Sequence, residues 1–236
     1  MVASDYRIRG WLILLYVALS LVASGVIVGL IWPEWSESDS TIPLPEASLG
    51  ALFYIILLLF LLRPMMRAGI PLDARTSSEN SALTVGWSVL TAISLVGISL
   101  GTAYLFLLPL SYFAPSLVES MINIALIYAP IQKHWHANAL SVLAFVVVGP
   151  LVEEILFRGL LLSMWSSRWG RRRAALVTSL IFGILHFDPV GAFVFGYVLA
   201  LVFFRTNSLF IPVLVHAANN ALAVLFRKGN LSLRDV

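Results

Sequence analysis

The sequence predicts an all-α protein, a polytopic transmembrane bundle of seven to eight helices around a polar cavity. Three observations carry that prediction. Hydrophobic residues make up 60% of the 236 and charged residues only 11%, where soluble domains carry about 25% charged residues. The apolar residues come in long uncharged runs, giving a mean hydropathy of +0.94, and a bilayer crossing needs about 20 such residues, with about 17 to 25 as the working range. The few ionisable groups inside those runs gather in the C-terminal half, where they imply a shared polar interior.

The runs can be taken in order. The first, 10–33, carries no charge. Arg7 and Arg9 precede it as they would a signal peptide, but the run outlasts an h-region and lacks a small-x-small exit, so it reads as a retained anchor. The second, 47–62, ends at Arg63-Pro64 and is short enough for its flanking arginines to snorkel. After the polar stretch 67–80, residues 81–118 are uncharged and too long for one span. Pro109 and Pro115 interrupt them, which places a helix at 83–108. Gly97 and Gly101 form a GxxxG pattern there, read as close packing inside the bundle. Residues 115–132 are an interfacial helix or an eighth span, and Lys133, His134, Trp135 and His136 follow as a polar loop with no site role. Runs at 139–165, 174–187, 190–204 and 209–226 bring the spans to seven. Asp188-Pro189 separates two of them with a tight turn, because proline disfavours helix in the residue before it.

Composition also excludes classes of function. Cysteine is absent, so a disulfide framework, a thiolate nucleophile and a thiolate metal site are all ruled out. The net charge of +3 and isoelectric point near 9.4 do not indicate nucleic acid. The basic residues sit beside apolar runs, where lipid headgroups and topology account for them. Arg168, Arg171, Arg172 and Arg173 fall in one short connection and mark the cytoplasmic side of a multi-pass protein of the cytoplasmic membrane. The acidic loop with Glu34, Glu37, Asp39 and Glu46 then lies outside. Seven spans also put Arg227, Lys228 and Arg234 outside, against the same rule. We read one integrated membrane domain, in which 1–137 supplies N-terminal helices without a motif and 138–228 forms the helical core that carries the chemistry.

The polar residues at membrane depth are Glu153, Glu154, Arg158, His186, His216, Asn219 and Asn220. At 1.5 Å per residue, Glu153 lies roughly 18 Å from Trp165, His186 about 18 Å from Ala174 and His216 roughly 12 Å from Ser208. Residues distant in sequence therefore reach similar depth. Spacing separates the two carboxylates. Glu154 and Arg158 are i and i+4, with the acid N-terminal to the base, the favourable order for an ion pair. Glu153 points about 100° away, which leaves it for general-base chemistry. Phe182 and His186 share a face at i and i+4, as do His216 and Asn220, with Asn219 close enough to compete. Spacing favours Asn220. Neutral donors aimed together into a desolvated pocket are what an oxyanion requires.

These three pieces resemble the CAAX prenyl endopeptidase and bacteriocin-processing (CPBP, or Abi) family of intramembrane proteases. Its patterns E-E-x-x-x-R, F-x-x-x-H and H-x-x-x-N appear here as Glu153-Glu154-Ile-Leu-Phe-Arg158, Phe182-Gly-Ile-Leu-His186 and His216-Ala-Ala-Asn-Asn220. The stretch Arg205-Thr-Asn-Ser-Leu-Phe-Ile-Pro212 is similar to the family's lead-in to the last motif. The resemblance covers roughly 140–226. It implies a membrane peptide hydrolase in which Glu153 and His186 activate water, His216 and Asn220 stabilise the oxyanion, and Glu154, Arg158 and Phe182 support them. It also implies a cavity open to the cytosol and bilayer, taking a membrane-associated peptide or protein substrate.

No cofactor is expected. The alternative is zinc held by Glu153, His186 and His216, a known type of ligand set. It is disfavoured because the ligands would come from three helices without a compact H-E-x-x-H pair, and because zinc has little use for Asn220. The competing function is a non-catalytic membrane-protein partner or chaperone on the same scaffold. Intact ionisable positions at depth speak against it. Proton-coupled transport ranks last, since no inverted repeat or paired broken helices are visible.

Overall fold

The computed structural model describes residues 10–33, 44–69, 81–118, 135–186 and 188–232, and every regular element among them is helical. We number seven helices among these residues: α1 (Gly10–Ile31), α2 (Leu44–Ala68), α3 (Ser81–Phe113), α4 (Trp135–Trp169), α5 (Arg171–Ile184), α6 (Pro189–Thr206) and α7 (Phe210–Ser232). Four stretches among the described residues are long and apolar enough to cross a membrane: Trp11–Ile31, Ala47–Ala68, Trp135–Trp169 and Pro189–Thr206. The all-α membrane bundle expected from the sequence is thus the fold observed. Most of the 115–132 stretch, His134 and Arg234 lie outside the described residues.

Helix α2 runs past Pro64 to Ala68, where the sequence suggested an end at Arg63-Pro64. A proline inside a helix removes one backbone hydrogen bond and costs about 3 kcal/mol. Here that loss is offset by packing. Ala47, Ala51, Leu57, Leu61, Met65 and Ala68 are all buried and recur at helical spacing, so the last turn of α2 is held by its inward stripe. Tyr16 of α1 stacks on Phe60, with ring centroids 5.3 Å apart. Helix α3 likewise continues through Pro109 to Phe113, beyond the expected end at 108, and packs across α6 and α7.

Helix α4 is the axis of the fold. It is continuous from Trp135 to Trp169, but two of its stretches, Leu143–Val148 and Ile155–Leu162, are π-helical. The polar loop expected at 133–136 is corrected at its end. His136 stands in the first turn of α4, exposed, with its ring 3.8 Å from that of Trp135. Every residue of Ile155–Leu162 is buried, so this part of α4 is enclosed by neighbouring helices rather than by lipid.

Helices α5 and α6 form a tight antiparallel hairpin. Gly170, with φ of 81°, makes the left-handed turn from α4 into α5, a conformation that costs glycine little. At the other end Asp188 caps α6 by accepting from the Gly191 N–H at 2.9 Å, and Pro189 occupies the first turn, where its missing N–H is no loss. The hairpin closes so tightly that a Cβ on Gly183 would stand 2.6 Å from the Pro189 carbonyl oxygen. With 14 residues, α5 is shorter than the range for a crossing helix.

Candidate functional site

The two glutamates occupy the short α-helical stretch Gly149–Glu154, between the two π-helical stretches of α4. Single π turns widen a helix locally and recur at functional sites. Here the widening has an identifiable partner. The Gly149 N–H reaches back to the Ala144 carbonyl, and Pro150 has no N–H to offer, so the Phe145 carbonyl loses both of its natural donors. Asn220 Nδ2 of α7 donates to it at 2.9 Å.

Glu154 and Arg158 are both buried, at 0% and 2% exposure. Arg158 Nη1 donates to Glu154 Oε1 at 2.7 Å, and its Nη2 donates to the Gly196 carbonyl of α6 at 3.1 Å. The guanidinium carbon sits 4.9 Å from the Phe182 ring centroid, within cation–π range. The same Glu154 oxygen accepts from His216 Nδ1 at 2.8 Å. Glu154 therefore joins α4 to α7, while Arg158 joins it to α6 and, through Phe182, to α5.

Glu153 takes a different set of partners. Its Oε1 accepts from the Tyr54 hydroxyl of α2 at 2.7 Å. Its Oε2 is buried without a hydrogen-bond partner among the described residues. That atom faces two imidazoles, lying 3.8 Å from His186 Nε2 and 3.9 Å from His216 Nε2. These separations are too long for direct hydrogen bonds and fit one bridging polar atom at about 2.8 Å from each.

The tautomers follow from the other ring nitrogens. His186 Nδ1 is 2.6 Å from the Phe182 carbonyl, which only accepts, so Nδ1 carries the hydrogen. His216 Nδ1 donates to a carboxylate in the same way. Each ring thereby presents Nε2 toward Glu153. Phe182 fixes both rings, stacked on His186 with centroids 4.1 Å apart and edge-on to His216 at 6.0 Å. Phe195 of α6 closes the other side of His216 at 4.9 Å.

The structure thus brings Glu153, Glu154, Arg158, Phe182, His186 and His216 into one contiguous cluster. It places Asn220 beside it, one turn along α7 from His216. Asn220 has one amide hydrogen committed to Phe145, and an amide carries two. Asn219 Nδ2 reaches Asn220 Oδ1 at 3.4 Å. Sequence reasoning missed Tyr54, because phenols were counted with the apolar residues. The available signal was its position on the inward stripe of α2, three residues from both Ala51 and Leu57, since a buried tyrosine hydroxyl takes a hydrogen-bond partner.

The zinc alternative would need these three side chains drawn closer together. Tetrahedral zinc holds its ligand atoms about 3.3 Å apart, closer than the two Nε2 to Oε2 separations. Among the described residues no group of three His, Cys, Asp or Glu is arranged to hold a metal ion.

A carboxylate and two oriented imidazoles thus face one another inside the bundle. Residues 135–222 match the family described as "Type II CAAX prenyl endopeptidase Rce1-like", so the resemblance drawn from the three motifs is borne out over that segment. The "Putative membrane peptidase YdiL" of Bacillus subtilis (strain 168) is 29% identical over 94 residues, 39% of this chain and 38% of that protein. The "Membrane-embedded CAAX protease MroQ" of Staphylococcus aureus (strain USA300) is 32% identical over 94 residues, 36% of this chain and 38% of that protein. An "Uncharacterized 24.3 kDa protein" of Escherichia coli is 34% identical over 95 residues, 37% of this chain and 44% of that protein. The chain thus spans less than half the length of these curated relatives. No solved structure matches it.

Proposed function

We propose that the protein is an intramembrane endopeptidase that hydrolyses a peptide bond with water activated by Glu153 and His186. The observation that carries this reading is the single Glu153 oxygen faced by two imidazole Nε2 atoms, at 3.8 and 3.9 Å. Water held between Glu153 Oε2 and His186 Nε2, which accepts one of its hydrogens, loses the other as a proton to Glu153 Oε2 as its oxygen adds to the scissile carbonyl carbon. The carbonyl π electrons move onto oxygen, and that oxyanion accepts hydrogen bonds from His216 and Asn220. With Nδ1–H given to Glu154, His216 donates from Nε2 only when it carries both protons, and the oxyanion balances that charge, since Glu154 is already matched by Arg158. Glu153 then passes its proton to the leaving nitrogen, and the C–N bond breaks. Glu154, Arg158 and Phe182 hold the two rings in register. No step is routed through a metal.

The substrate in this reading is a membrane-associated peptide or protein, prenylated or not, reached from the bilayer. The arginine cluster at Arg168 and Arg171 to Arg173 assigns its end of α4 to the cytoplasmic side of the cytoplasmic membrane, and the site opens toward the cytoplasm. Proteoliposomes and a panel of internally quenched peptides, S-farnesylated and unmodified, test the activity. Glu153→Ala should lower kcat by about 10² to 10⁴-fold, the usual loss on removing a general base, with its melting behaviour in detergent unchanged. Full turnover by that variant would refute the mechanism. If Glu153→Ala and His216→Ala both still rescue a deletion strain, the scaffold acts as a non-catalytic partner or chaperone instead.

A further inference from the structure

The Glu153 carboxylate has two oxygens in different situations, and a residue far from the three motifs decides which is which. Tyr54 lies on α2, outside the segment 135–222 that matches the family. Its hydroxyl donates to Oε1 at 2.7 Å, while Oε2 is left toward His186 and His216. The approach is built into α4 as well. A Cβ on Gly149 would lie 3.3 Å from both Cε2 and Cζ of the Tyr54 ring, so the ring rests on bare backbone at Gly149. Glu153 is four residues on, over the same helix face. The glycine seats the ring, and the ring delivers its hydroxyl one turn further along.

We propose that Tyr54 is a positioning residue for Glu153. This rests on the reading of Glu153 as the water-activating base, and it adds a requirement from the N-terminal half of the chain. The terminal torsion of a glutamate is broad and roughly two-fold, so a carboxylate with no anchor turns freely and presents its lone pairs in many directions. The Tyr54 hydrogen bond holds one oxygen and thereby aims the other. Because Tyr54 touches Oε1 and not the oxygen that faces the imidazoles, its loss alters the orientation of the base rather than the hold on substrate.

The test compares Tyr54→Phe with the wild-type chain in proteoliposomes, using an internally quenched S-farnesylated peptide, or its unmodified counterpart where that is the one cleaved. A misplacement of about 1 Å in a reacting group costs about 10²-fold. We therefore expect kcat to fall by roughly 10 to 100-fold, with KM within a factor of about two and melting unchanged. The hydrogen bond itself is read without turnover. Chains labelled with ¹³C-glutamate, differenced against Glu153→Gln, should show the Glu153 carboxylate stretch shifted in Tyr54→Phe. If that variant fails to fold, 3-fluorotyrosine at position 54 keeps the ring, changes the phenol and should shift the same band.

An unshifted band overturns the proposal. So does unchanged kcat, or a raised KM at constant kcat, which would make Tyr54 a substrate contact. If Tyr54→Phe is fully active while Glu153→Ala is dead, only the role of Tyr54 falls. If Glu153→Ala is active, the endopeptidase reading falls with it.

Discussion

Replacing Arg158 with methionine should separate what holds this site together from what it does. The guanidinium is at 2% exposure and its partner Glu154 at 0%, so neither charge has water to fall back on. Methionine keeps much of the side-chain volume but removes the 2.7 Å bond to Glu154, the 3.1 Å bond to the Gly196 carbonyl and the contact with the Phe182 ring. Glu154 is then left with His216 as its remaining donor. Removing one partner of a buried ion pair costs about 3 to 5 kcal/mol, whereas replacing both with apolar residues is often neutral or stabilising. Arg158→Met should therefore lower the unfolding free energy by about 3 to 5 kcal/mol, and Glu154→Met combined with Arg158→Met should recover part of it, short of wild type by about 1 to 3 kcal/mol for a His216 Nδ1–H left without its acceptor. Equilibrium unfolding in mixed detergent micelles measures both. Peptide turnover should stay depressed in the double variant, because His216 Nδ1 no longer has its acceptor. A single variant destabilised by less than about 1 kcal/mol, or a double variant with restored stability and full turnover, would refute the assignment of the pair as the brace for His216.

Further outcomes follow from other contacts. Asn220→Ala leaves the Phe145 carbonyl beside Pro150 without its donor, and loss of one such hydrogen bond costs about 0.5 to 1.5 kcal/mol. The same unfolding assay should record that loss in the absence of any substrate. A zinc-specific chelator should leave turnover intact. Inhibition reversed by added zinc would overturn the metal-free reading.

The sequence revealed the site more fully than the shape of the helices that carry it. Spacing at i and i+4 places Glu154 with Arg158 and Phe182 with His186, because such pairs are set by helix geometry alone. The same arithmetic ended α2 at Pro64 and α3 before Pro109, and both helices continue. A proline's effect depends on whether neighbouring packing outweighs one missing hydrogen bond, and that is settled between helices. The π stretches of α4 were equally hidden. The first of them goes with the coincidence of Pro150 and an amide on α7, residues 70 apart in the chain. Tyr54 was missed for a related reason. A tyrosine in an apolar run looks like any other core residue until the helix opposite is known.

The shortness of α5 reaches beyond the protein into the lipid. Its 14 residues rise about 21 Å, against a hydrocarbon layer of about 30 Å. Under the proposed topology, with Arg171 to Arg173 at headgroup level, the turn that carries His186 and Asp188 would stop about 9 Å short of the opposite surface. Local thinning of the bilayer is one way to meet a short helix, at a modest cost for each ångström of mismatch. Under that topology acyl-chain length sets how thick an oily layer stands between His186 and the far surface, opposite the cytoplasmic mouth proposed for the site. The membrane's composition becomes a control on how well the closed end of the site is sealed, one that no side chain encodes.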